Sequence, residues 1–241
     1  MAKLKKRRLI IISAITAALA LSCGAVYYFC AMPVPAAEKK AEMPASKTVT
    51  VKTIYSKNDF NGNGIDDSTD LLLGARKDAL NMPEYNGDYY VGGYPPDNIG
   101  VCSDLCWRAF KNAGYSLKDM VDKDIAERPE EYTKIRTPDK NIDFRRVKNL
   151  RVFFDKFAEK LTTDINKVEE WQPGDIVIFG YDAHIGIVSD KRNEKGQPFI
   201  LHNRGQEVRE QDYLYVREVM RHYRFDGSKV PNDILTQWHD S

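Results

Sequence analysis

Three residues have the types and spacing to run thiol chemistry: Cys102, His184 and His202. A cysteine nucleophile needs a lowered thiol pKa, a base, and donors for the oxyanion. Cys102 follows Gly100-Val101 and opens an apolar series (Cys102, Leu105, Cys106, Ala109, Phe110, Ala113) that predicts a helix closed by Gly114. A thiol in the first turn sits at the positive end of the helix dipole, which lowers its pKa. The backbone N–H of Cys102 is then one oxyanion donor. Cys106, one turn further in, loses most of that benefit and fits a small buried apolar residue. His184 stands just ahead of Ile185-Gly186-Ile187-Val188, at the start of a predicted strand, and is expected to point from the sheet rim toward a facing helix. His202 lies on the next predicted strand, so antiparallel pairing brings the two imidazoles together, with His202 orienting His184. Asn203 competes for that third role, but alternation along a strand turns its side chain to the other face.

The elements that must hold these residues are readable in part. Helices are predicted over Leu71–Leu80, Cys102–Ala113, Leu117–Ile125 and Val147–Leu161, the last with a stripe of Leu150, Phe153, Phe154 and Phe157. Short apolar runs then predict strands at Asp175–Phe179, Ile185–Val188, Phe199–His202 and Glu218–Tyr223. Alternating Thr and Val predicts one more over 47–54. Helices first and consecutive strands after give an α+β fold with an antiparallel sheet. Residues 86–100, rich in Gly, Pro and Tyr, read as a structured loop.

Composition sets outer bounds. The chain has 241 residues and a net charge of +1, so bulk electrostatics point to no nucleic-acid partner. Four cysteines, two of them in an N-terminal apolar run, do not form a disulfide framework. Lys3, Lys5, Lys6, Arg7 and Arg8 precede an apolar stretch from Leu9 to about Met32, long enough to cross a bilayer. Its length favours a retained anchor. Val34-Pro35-Ala36 offers a cleavage site, and lipid-modified Cys23 is a third reading. Each places the rest of the chain outside the cytoplasm, with the membrane as a partner. The expected organisation is an anchor or signal over 1–32, a linker over 33–48, an N-terminal segment over 49–85, and a hydrolase domain over 86–241.

The residues also resemble a family. Val101-Cys102-Ser103-Asp104, Pro173-Gly174-Asp175-Ile176-Val177, His184-Ile185-Gly186-Ile187-Val188 and Phe199-Ile200-Leu201-His202 resemble the nucleophile helix and the three following strands of NlpC-type and CHAP-type cell-wall hydrolases. Within that group the chain resembles most a bacterial family of domains of unknown function. That family shows a Gly-Gly-Tyr-Pro approach (here with Tyr94), a Gly-Val-Cys motif and an Ile-Asp-x-Arg-Arg-Val segment. The resemblance implies a papain-like fold, with the nucleophile helix packed on the sheet, and a Cys-His-polar triad. It implies no cofactor for the chemistry and an amide substrate, foremost a peptidoglycan stem peptide. Tyr94, Arg145 and Arg146 are the expected substrate contacts. The two arginines suit carboxylates, and they suit equally a structural pairing with Asp143 or other acids.

One further motif stands apart. Asp59, Asn61, Asn63, Gly64, Asp67 and Asp70 follow the spacing of a calcium-binding loop, with Ile65 offering its carbonyl. The plainer reading is an Asn/Asp/Gly turn that caps the next helix. Three other functional readings remain open on the sequence. They are a thiol protease or acyltransferase on another substrate, a zinc site of Cys102, Cys106, His184 and His202, and a wall-binding module without turnover.

Overall fold

The structure, a computed structural model, describes residues 50–240. The expected anchor and the whole of the linker lie outside the described residues. The chain divides into Met1–Ser46 and Lys47–Ser241, and all that follows concerns the second unit. Among the described residues no helix is long and apolar enough to cross a membrane.

The fold is mixed α+β. Four helices, α1 (Asp67–Asn81), α2 (Cys102–Asn112), α3 (Leu117–Glu127) and α4 (Val147–Phe157), precede or flank six strands. These are β1 (Ala158–Lys160), β2 (Ile176–Phe179), β3 (His184–Arg192), β4 (Pro198–Leu201), β5 (Glu210–Gln211) and β6 (Val219–Phe225). They make one sheet in the order β1-β6-β2-β3-β4-β5, with every pairing antiparallel.

Both sheet faces are covered, which explains strands that read as unbroken apolar runs rather than as alternation. Ile176, Ile178, Ile185 and Ile187 join the main core beneath the helices, with Leu105, Phe110, Phe153 and Phe154. Val177, Phe179, Val188 and Ile200 pack on the opposite face with Trp171, Tyr213 and Leu214. The predicted stripe on α4 is buried at all four positions.

Two expectations change. Residues 50–54 form no strand: Ile54 N–H donates to the Gln172 side chain, and no ladder follows. Helix α4 ends at Phe157, not Leu161, because Ala158 turns to extended backbone and 158–160 pair with Phe225–Tyr223. Helix α1 packs on α2 and β3 in the same compact unit.

Candidate active site

Helix α2 begins at Cys102, and its start is held from several directions. Val101, the N-cap residue, has no side-chain oxygen to cap with. Asp104 substitutes by accepting the Val101 N–H at 2.8 Å. Fully buried Asp104 also accepts from Trp107 Nε1 at 2.9 Å and from Arg145, Nε and Nη2, at 2.8 and 2.9 Å. Ser103 donates to the Arg145 carbonyl at 2.7 Å, and Arg145 Nη1 donates to the Asp88 carbonyl at 2.7 Å. Asn203 donates to the Gly100 carbonyl at 2.9 Å, fixing the approach to Cys102. A bidentate guanidinium–carboxylate pair is rigid, so this network sets the angle at which Cys102 is presented.

Cys102 and Cys106 are both free thiols. Cys106 is fully buried, and burial pushes its thiol strongly up. Burial also pushes Cys102 up, to about 11, against backbone amides of Ile185, Ser103 and Cys102 itself that favour the thiolate. The expectation of a thiol lowered by the helix dipole is therefore corrected. Cys102 is only 6% exposed, and desolvation outweighs the local donors.

His184 is the first residue of β3, paired with Phe179. Directly paired residues share a face. His184 accordingly stands with Phe179 and Tyr213, at ring distances of 6.1 and 5.7 Å, while Ile185 faces α2. The ring does not point at the helix as expected. The amide of Ile185, next to His184, favours the Cys102 thiolate, and the thiol and the imidazole do not bond one another in this structure.

His184 Nε2 lies 3.0 Å from His202 Nδ1, with the rings nearly perpendicular. Gly186 makes room for this. A Cβ there would lie 2.6 Å from Ile200 Cγ2, 2.8 Å from the Leu201 carbonyl and 3.2 Å from His202 Cβ. A side-chain contact from Gln211 favours the protonated form of His202. In the tautomer where His202 Nδ1 accepts, His184 Nε2 carries the proton and His184 Nδ1 keeps its lone pair. Gln206 Nε2 is 3.3 and 3.5 Å from the two ring nitrogens of His202 and donates to the His202 carbonyl at 3.0 Å.

Both imidazoles are held neutral. Burial, then His202, Arg204 and Arg217, brings His184 down to about 3. Burial brings His202 down to about 4, with Gln211 opposing and Arg204 and Arg209 adding to the fall.

The other expected contacts are placed differently. Arg145 is buried in its pair with Asp104, so it is a positioning residue and not a substrate contact. Tyr94 is packed in an aromatic cluster with Trp107, Trp238 and Phe144 at 4.7, 5.3 and 5.4 Å. Arg146 is exposed and lines a cavity of about 530 Å³ whose wall includes Tyr181 and Asp182, on the turn leading to His184.

In the loop ahead of α1, Asn61 and Asn63 each donate to Asp70 Oδ2 at 2.9 Å, and Asp59 accepts from the Asn63 and Gly64 amides. Ile65 donates its N–H to Asn63 Oδ1. Asp67 departs from the expected set: it accepts from the Phe60 amide at 2.8 Å and from the Tyr115 hydroxyl at 2.6 Å. Among the described residues, no three His, Cys, Asp or Glu side chains are placed to hold a metal ion. The zinc reading thus lacks a ligand set.

Asp104, Gln211 and Tyr213 were not singled out from the sequence, and no short-range signal marks them. The site and its setting define a mixed α+β domain with a buried thiol beside a histidine pair. A domain family described as "Domain of unknown function (DUF1287)" matches residues 72–225, and the chain belongs to that family. It is similar to the "Uncharacterized protein YijF" of Escherichia coli (strain K12), 36% identical over 170 residues that cover 66% of this chain and 82% of that protein. No solved structure matches.

Proposed function

We propose that the protein is an extracytoplasmic cysteine amidohydrolase with a papain-like fold, acting on peptidoglycan stem peptides through Cys102, His184 and His202. One observation carries the reading. The amide next to His184 favours the thiolate of the cysteine that opens α2, and His184 Nε2 lies 3.0 Å from His202 Nδ1, which leaves His184 Nδ1 without a bond among the described residues. The likeness of the Cys102, Asp175 and His184 motifs to NlpC-type and CHAP-type hydrolases supports the substrate class.

The chemistry follows from the neutral pair. His184 Nδ1 takes the thiol proton as sulfur attacks the amide carbon, so the pair works by general-base assistance and not as a preformed thiolate–imidazolium. The Cys102 and Ser103 amides at the start of α2 supply donors for the oxyanion. His184 then protonates the leaving amine, and water resolves the thioester. The sulfur and Nδ1 must close on each other by side-chain rotation. Catalytic hydrogen bonds are often long before substrate binds.

Incubating the protein with purified peptidoglycan and weighing the fragments tests this. New amino and carboxyl ends within the stem peptides are expected, and none with Cys102→Ala. Intact peptidoglycan after exposure to folded wild type contradicts it. A thiol protease or acyltransferase would instead modify another acyl substrate with the same residues.

The loop of Asp59, Asn61, Asn63 and Asp70, with the Ile65 carbonyl, is proposed to take a structural calcium ion, Asp67 being excluded by its own bonds. Millimolar calcium should then raise the melting temperature, and Asp59→Ala should remove the rise. An unchanged wild-type melt would leave it a helix-entry turn.

A further inference from the structure

Two guanidinium groups crowd the histidine pair without a carboxylate to neutralise them. Arg204 Nη1 donates to the Tyr213 hydroxyl at 2.9 Å, and the Tyr213 ring lies 4.2 Å from His202 and 5.7 Å from His184. Arg217 lies across the head of the turn into His184: a Cβ on Gly180 would fall 2.8 Å from Arg217 Cδ. Neither guanidinium forms an ion pair among the described residues. Half-exposed Tyr85 sits beside the residue after Arg204, since a Cβ on Gly205 would fall 3.2 Å from Tyr85 Cβ, and Asn203, the residue before Arg204, bonds the Gly100 carbonyl two residues ahead of Cys102.

We propose that Arg204 and Arg217 hold a negative charge on the substrate next to the bond to be cleaved, making the site selective for anionic peptides. This deepens the hydrolase reading and rests on Cys102 being its reactive thiol. The reason is mechanistic as well as geometric. His184 must become cationic when it takes the thiol proton, and both arginines oppose that. An anion lying between them removes the opposition when the proton has to move. A neutral substrate leaves it in place. Substrate charge thus enters the chemical step and not only binding.

Two alkylating reagents separate this from the hydrolase reading, because neither is a hydrolase substrate. Iodoacetate and iodoacetamide react alike: sulfur bonds to carbon, iodide leaves, and the thiol proton is lost to base. They differ in charge. In the full-length chain, the rate on the Cys102-containing peptide is followed by mass. The iodoacetate-to-iodoacetamide ratio should exceed that of a free cysteine peptide by about tenfold at low salt, the lower end of electrostatic focusing. It should fall toward the peptide value in 1 M salt, where screening acts over roughly 3 Å. Arg204→Gln with Arg217→Gln should lower it, and the two lysine variants should keep it. A wild-type ratio equal to the peptide's, or one that salt leaves unmoved, overturns the proposal, and this arm stands even where a glutamine variant fails to fold. A ratio unmoved by the glutamines in folded protein overturns it too. Preferential labelling of Cys106 would instead sink the assignment of Cys102.

Discussion

Two buried histidine sites lie on the same sheet and are built on opposite plans. His222, on β6, has oxygen on both sides: Nε2 is 2.9 Å from Asp175 Oδ2 and Nδ1 is 2.9 Å from the Thr162 carbonyl. Its ring stacks on Trp171 at 3.9 Å, and Arg224 completes the bonding of Asp175. His184 is as deeply buried, but among the described residues its only bonded partner is another imidazole, and no carboxylate bonds it. The first site satisfies every polar atom and leaves nothing to react. The second leaves one ring nitrogen without a bond among the described residues, one residue before the amide that favours the Cys102 thiolate. Burial alone does not mark a functional histidine, whereas an unspent lone pair does.

The contrast breaks most sharply under substitution. His184→Ala should abolish measurable turnover, a loss beyond about a thousandfold, with the fold retained. His222→Ala should do the reverse. It should lower stability by about 1.5–3 kcal/mol, as for a lost hydrogen bond to a charged group, and leave activity per folded molecule unchanged. Denaturant melts and turnover on the same preparations decide it, and equal activity losses in both variants would erase the distinction.

Arg145→Ala sharpens the same comparison on the α2 side. Removing one member of the buried pair leaves Asp104 charged and unpaired, so stability should drop by about 3–5 kcal/mol. A stable variant with only a raised KM would return Arg145 to the substrate side.

Acid tests the neutrality of the pair. In the unfolded chain His184 and His202 protonate near 6.5, but in the fold they hold out to about 3 and about 4. Their folded values are depressed, so the stability tied to their neutral state is whole above pH 6.5 and shrinks as pH falls from there toward 4. The slope approaches 1.4 kcal/mol per pH unit for each histidine. Replacing both with glutamine should flatten that limb, and an unchanged limb would mean the rings take up protons in the native state.

The smallest expected effect is at His202, which only orients its neighbour. His202→Ala should leave a fraction of the activity, and His202→Gln should restore part of it, because an amide oxygen can still accept from His184 Nε2. A fully active alanine variant would remove His202 from the unit.

Much of this was legible in the chain, at the level where periodicity speaks. The apolar spacing after Gly100 placed Cys102 at a helix start, and the run after His184 placed that residue at a strand start. What failed depended on distant partners. The face of His184 is set by its pairing with Phe179 across a tight turn in which Tyr181 and Asp182 both take positive φ, and composition alone does not announce such a turn. Arg145 finds Asp104 across 41 residues, a pairing with an acid that its chemistry allowed but its sequence neighbours did not specify. The thiol pKa reversed because the helix dipole is local, whereas desolvation depends on everything packed around Cys102. Helix α4 gives way to β1 where sheet pairing overrides continued periodicity.

The protonation of one ring tests the centre of the account. Side-chain nitrogen NMR of the full-length chain between pH 5 and 8 reports which nitrogen of each histidine carries hydrogen. His184 should show a single neutral tautomer, protonated on Nε2 with Nδ1 bare, unchanged across the range. A proton on Nδ1, or an imidazolium at pH 7, would leave Cys102 without its base and contradict the assignment.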